Sequence, residues 1–223
     1  SEETIPQHIE GAYNGVHDII IIDKENLVCA QYDGSLIWFS LIKFWDEDEC
    51  KWVKRWKATN VVKPHNEWVW SAIQFDEWNE AQQVVISCSY DETVRLTNFS
   101  SPEQSTLIIM GRDQQPIRGL CMTTINPKLY AFSYNYIFSA LKSEDDWEVD
   151  EPCFTGDKII STIFDDGSGS PCVFYNTGPG SQGFIARYQN NDLSRILIEC
   201  QENVFIRKVK KLEKKVLDKI EQL

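Results

Sequence analysis

The chain has 223 residues, 22 Lys plus Arg against 34 Asp plus Glu, a net charge of −12 and 42% hydrophobic residues. That is enough apolar chain for a sizeable core, and it excludes wholesale disorder and a fibrous repeat. The acidity argues against a body that grips nucleic acid through its phosphates, and the longest aliphatic run, Ile19-Ile20-Ile21-Ile22, is far too short for a bilayer span.

The first predicted element pair is a β-hairpin over Leu27–Leu41. An apolar strand reaches the corner Tyr32-Asp33-Gly34, and an alternating strand leaves it. Asp33 can bond the backbone of the tight turn, and Gly34 tolerates positive φ. An acidic run, Asp46-Glu47-Asp48-Glu49, reads as a solvated loop, because it lacks the spacing and Gly of a calcium loop. Next comes Lys51-Trp52-Val53-Lys54-Arg55-Trp56-Lys57. It reads as an outer strand burying alternate aromatics, in competition with an exposed stacking platform for bases or peptides.

His65–Phe75 is a loop entering a buried strand, and Val85–Phe99 repeats the hairpin around Tyr90-Asp91-Glu92. Pro116–Met122, Lys128–Asn135 and Tyr136–Leu141 give the strand order a third time, with Asn135 near the corner. Glu144-Asp145-Asp146 is a second solvated acidic run. A fourth copy is fainter, over Lys158–Phe164, Pro171–Tyr175 and Phe184–Tyr188, separated by Gly-rich and Ser-rich turns. From Leu193 onward the period changes to that of an amphipathic helix, with Ile198, Phe205, Val209, Leu212, Val216, Ile220 and Leu223 on one seam. This tail is +3 while the preceding 192 residues are −15. The expected domains are therefore residues 1–191, all-β, and residues 192–223, helical.

The seven cysteines are scattered, odd in number and without a C-x-x-C pair, so disulfide and zinc scaffolds are not expected. Cys29, Cys88 and Cys172 should pack as small hydrophobes. With no signal-like N-terminus, the expected location is cytoplasmic or nuclear.

The stretch from His65 to Phe99 resembles one WD40 repeat, the unit of a β-propeller blade. The resemblance implies a buried hydrogen-bonded set in which His65, Ser87 and Asp91 take three of four roles. The fourth, a Trp in the family, is Thr97 here. The first copy keeps Asp33 and Gly34, has Phe39-Ser40 at the Trp-Asp position, and offers no clear His. The third and fourth keep little beyond the strand pattern. The implied fold is an all-β, WD40-like propeller of about four blades with a C-terminal amphipathic helix. Four degenerate copies are few for a closed ring, so the ring is completed by a partner or second copy, an insert hides a further blade, or the chain is a fragment. Completion by a partner is the preferred reading.

His65, Ser87 and Asp91 also have the residue types of a hydrolase triad, but the reading as a rigid blade network is preferred. His8 and His17 have no partners at ligand spacing and are expected at the surface or in loops. No nucleotide or phosphate fingerprint is present, and no cofactor or metal is expected. Loop aromatics such as Trp68 and Trp78 anchor partners in many interfaces. The expected function is a non-enzymatic scaffold or adaptor in an intracellular multiprotein complex, using the blade surfaces and the helix. The tail's choices are a partner helix, packing on the body, or contact of its basic face with nucleic acid or an acidic membrane. The alternative function is a non-catalytic propeller subunit of a nucleic-acid-modifying enzyme, or a propeller-type hydrolase.

Overall fold

A computed structural model describes residues 15–48, 50–75, 83–101, 105–144, 146–178 and 181–200. The helix seam Phe205, Val209, Leu212, Val216, Ile220 and Leu223 lies outside them, as do His8 and Trp78. The described residues are all-β and form four antiparallel sheets of four or five strands. The chain divides into two compact units, Ser1–Leu107 and Ile108–Leu223.

In the first unit, β1 (Val16–Ile21), β2 (Asn26–Gln31), β3 (Leu36–Asp46) and β4 (Lys51–Val62) form a meander in chain order. β5 (Val69–Gln74), β6 (Val84–Ser89), β7 (Thr93–Asn98) and β8 (Thr106–Met110), the last crossing the division between the units, form the next. Consecutive strands pair because short corners join them, the arrangement with the least loop-closure cost. The second strand of a sheet is buried on both faces: every residue of β6, VVISCS, is buried. That is why these strands read as apolar runs while their neighbours alternate. Val28, Ala30, Leu36 and Trp38 pack against Val69, Ala72, Val85 and Phe99 in one core cluster. Each fully buried aliphatic or Phe side chain there contributes about 1.5–3 kcal/mol.

In the second unit, β9 (Gly119–Met122), β10 (Leu129–Phe132), β11 (Tyr136–Lys142) and β12 (Trp147–Val149) form a sheet, with β13 (Cys153–Phe154) pairing β11 beside β12. β14 (Ile159–Phe164), β15 (Cys172–Asn176), β16 (Gly183–Gln189) and β17 (Asp192–Cys200) form the fourth. Tyr130, Phe132 and Ile137 share a core cluster with Ile160, Val173, Tyr175, Ala186 and Tyr188.

The expected helical start is corrected here. Residues 192–200 are strand β17, and Ile198 pairs with Ile185 of β16. The reason is local. Asn190 and Asn191 have φ of 51° and 59°, as a two-residue hairpin turn requires, and that turn feeds the chain back along β16.

A β-bulge interrupts the first strand of three sheets at the same place. The pairings skip from Val16 to Asp18, from Val69 to Ser71 and from Ile160 to Thr162. The bulged residues are therefore His17, Trp70 and Ser161. A bulge bends its strand and re-aims the side chains beside it, and two of the three position the candidate site.

Candidate functional site: the His65 network and its aromatic rim

The site begins at the corner between β6 and β7. Ser89 and Thr93 bracket a three-residue loop whose last residue, Glu92, has φ of 67°. This is the hairpin geometry that favours Gly at the left-handed position, and in the first sheet Gly34 holds the same place with φ of 89°. At the second corner, Asp91 Oδ1 accepts the Thr93 amide at 3.1 Å and the Thr93 hydroxyl at 2.6 Å. Its Oδ2 accepts the Asn66 amide at 3.1 Å. His65, in the loop before β5, places Nδ1 3.1 Å from Asp91 Oδ2 and 3.0 Å from Thr93 Oγ1. Its Nε2 lies 2.8 Å from Ser87 Oγ on β6. An ionised carboxylate only accepts, so Nδ1 carries the proton toward Asp91 and Nε2 takes the Ser87 hydroxyl hydrogen. Burial alone would raise the Asp91 carboxyl. The hydrogen bonds from His65, Thr93 and the Asn66 amide outweigh it and hold the group well below the usual carboxylate range.

The three residues singled out from sequence, His65, Ser87 and Asp91, are thus brought together, and Thr93 joins them. Thr97, where the WD40 resemblance implies a Trp, is buried with its hydroxyl unpartnered and stays outside the set. Asp33 organises its own corner instead: its Oδ1 accepts the Ser35 amide at 3.0 Å, and Ser35 Oγ lies 2.9 Å from Gln31 Oε1. The two corners meet through the backbone. His65 N donates to Gly34 O at 3.3 Å, and a Cβ on Gly34 would sit 2.3 Å from the His65 carbonyl oxygen.

The order Asp91–His65–Ser87 matches a nucleophilic relay in bonding but not in access. Ser87 has no exposed surface and His65 is 2% exposed, so an acyl substrate has no approach to the Ser87 hydroxyl. What the arrangement does is fix the corner.

Above it lies a run of aromatic rings. Tyr32 meets Trp68 edge to face at 5.0 Å, and Trp68 meets Tyr90 at 6.0 Å. Tyr32 also meets His17 at 5.5 Å, and His17 meets Trp70 at 4.6 Å. His17 is not the loop or surface residue its sequence suggests. It is the bulged, half-buried residue of β1, with Nδ1 3.0 Å from the carbonyl oxygen of Trp70, the bulged residue of β5. Next to it, Asp18 Oδ2 accepts the Ser71 hydroxyl at 3.1 Å, so the two first strands are stitched at their bulges. A bulge has no compositional mark, and only its result, a His facing a Trp, could have hinted at it.

The Lys51–Lys57 segment divides between its two readings. Trp56 packs beside Phe39, whereas Trp52 is 59% exposed and stands edge-on to Trp45 at 5.7 Å. Full burial of its aromatics is therefore corrected. β3 and β4 run beyond β2 as a two-stranded ribbon, so among the described residues no third strand pairs with its tip. The acidic and basic groups there pair locally, Arg55 with Asp46 at 3.3 Å and Lys54 with Glu25 at 3.1 Å.

The second unit has a polar cavity of about 770 Å³ whose lining includes Lys128, Tyr130, Asp150, Tyr188, Gln189 and Asn191. Its groups bond one another: Lys128 pairs with Asp150, Ser139 donates to Asp150 at 2.5 Å, and Tyr188 donates to Asn191 at 3.0 Å. The Lys128 and Ser139 bonds lower the Asp150 carboxyl, and burial raises the Tyr188 hydroxyl. Burial also pushes the thiols of Cys29 and Cys172 up, to about 11 and about 12, as expected of cysteines that pack as hydrophobes. Among the described residues, no three His, Cys, Asp or Glu side chains group as a metal site, and no helix is long and apolar enough to cross a membrane.

No family model matches the chain, and no curated protein is significantly similar to it.

Proposed function

We propose that the four sheets are blades of a WD40-like propeller and that the protein is a non-enzymatic scaffold or adaptor of an intracellular multiprotein complex. The observation that carries the reading is the His65–Asp91–Ser87 network, a buried polar staple with no access for substrate. Two features support it. Each sheet is a meander, and within each unit the first strands of consecutive sheets touch, β1 with β5 and β9 with β14. The recurring bulge on first strands is a repeat in geometry that outlasts the repeat in sequence. Partners dock on the exposed aromatic and ribbon surfaces, and the tail beyond residue 200 tethers a second component. Four blades leave a ring to be completed by a partner subunit or a second copy.

Affinity purification from the native cell, followed by light scattering of the purified chain, tests this. The expected result is a discrete set of co-purifying proteins and a chain that is not a closed monomer by itself. A monodisperse monomer that recovers no partner contradicts it.

A further inference from the structure

Three tyrosines hold the same place in the repeat, immediately before the corner Asp or Asn: Tyr32, Tyr90 and Tyr134. Their exposures are 40%, 49% and 44%. In the second unit the Tyr134 ring is already capped, with the Arg118 guanidinium 4.5 Å from its centroid. In the first unit Tyr32 and Tyr90 flank Trp68, itself 45% exposed. Among the described residues, no Lys or Arg stands over any of these three rings. The segments that carry them, 31–35, 65–70 and 89–93, contain Asp33, Glu67, Asp91 and Glu92 and no Lys or Arg.

These rings are held in place. Tyr90 N donates to Trp68 O at 2.9 Å, and Tyr32 N to Gly15 O at 3.2 Å. Ser89 Oγ donates to Glu67 O at 3.0 Å. Beneath them, the His65 network fixes the turn. Rigid aromatic faces ordered before binding lose little entropy when a partner arrives, which is the usual make-up of an interface anchor. Rings beside carboxylates recognise cations. A guanidinium suits this set better than an ammonium, because it is planar, weakly hydrated, and can stack on a ring while its edge meets a carboxylate.

We propose that Tyr32, Trp68 and Tyr90, with Glu67 and Glu92 on the same short segments, dock an arginine side chain presented by an extended segment of a partner protein. The proposal rests on the interaction-platform reading and adds the chemistry of the partner. Arg118 over Tyr134 is the same contact made within the chain.

The test is calorimetric titration of the full chain with the peptide Gly-Ser-Ala-Arg-Ala-Ser-Gly and with its citrulline and lysine counterparts. The arginine peptide saturates, and neutral citrulline binds about tenfold more weakly. Tyr90→Ala and Trp68→Ala each weaken arginine binding about five- to tenfold, and Glu67→Gln with Glu92→Gln flattens its salt dependence. Trp45→Ala, on the distant ribbon tip of the same unit, leaves the titration unchanged. Equal binding of arginine and citrulline, or no loss in folded Tyr90→Ala and Trp68→Ala, overturns the proposal. If wild type and Tyr90→Ala capture the same cellular partners while the arginine peptide is ignored, the site falls and the platform stands. If neither captures a partner, the platform itself falls.

Discussion

The second and fourth sheets solve one problem in two ways. Both must hold a first strand and a corner against a buried second strand. In the second sheet the answer is a buried His bonded to Asp91, Thr93 and Ser87. In the fourth, at the opposite end of the sheet, an ion pair of Arg187 on β16 with Asp166 in the β14–β15 loop, at 2.5 Å, is the main polar link, with Asp166 also accepting from Cys172 Sγ at 3.4 Å. Burial alone would raise Asp166, yet bonds from Ser168 and Cys172 and the charge of Arg187 keep it below the usual range. The meander is thus set by strand patterning and short corners, and the fourth sheet forms without a His–Asp–Ser set at its β15–β16 corner among the described residues.

The largest expected effect separates the buried His65 network from a half-exposed ion pair. His65→Ala leaves Ser87, Asp91 and Thr93 with buried, unmet polar groups, and should cost about 3 kcal/mol in urea denaturation. Lys128→Ala in the second unit removes only a half-exposed pair and should cost under about 1 kcal/mol. Next comes Gly34→Ala. It combines a left-handed φ with a collision against the His65 carbonyl, and should cost about 2–3 kcal/mol. Gly167→Ala, with φ of 81° but open space around it, should cost about 1 kcal/mol. Equal losses at the two glycines would remove the close approach as a reason for Gly34.

The pH dependence follows from Asp91. Its folded pKa is depressed below the ordinary 3.8, so the unfolded chain takes up the proton first. The stability Asp91 contributes is complete above that ordinary value and is lost as pH falls through the depressed one. Denaturation midpoints of wild type and Asp91→Asn should therefore converge below about pH 4 and separate above it. A constant difference across that range contradicts the linkage. The smallest effect is a gain: Glu92→Gly relieves the φ of 67° and should raise stability by up to about 1 kcal/mol in the same assay.

Much of this was legible in the chain. Apolar strands entering the Tyr-Asp corners and alternating strands leaving them placed β2, β3, β6 and β7, and fainter runs placed β9 to β11 and β14 to β16. The His65–Ser87–Asp91 set was legible through the resemblance of His65–Phe99 to a WD40 repeat, which implies it. The bulges at His17, Trp70 and Ser161 were not, since an extra residue in a strand leaves no mark in composition. Strand β17 was misread because apolar residues spaced three or four apart merge with the helical period beyond it. The contrary signals, the Asn190-Asn191 turn and the short apolar run Ile196-Leu197-Ile198, were present. The exposure of Trp52 depends on how far β3 and β4 outrun β2, and only the pairing reveals that.

The most direct test of the staple is hydrogen exchange of the β5–β7 amides in the full chain, wild type against His65→Ala. The account predicts that protection falls by about two orders of magnitude across β6 and β7, while the amides of β14–β16 keep theirs. Unchanged protection at Ser87 and its neighbours, or an equal loss in both units, would contradict it.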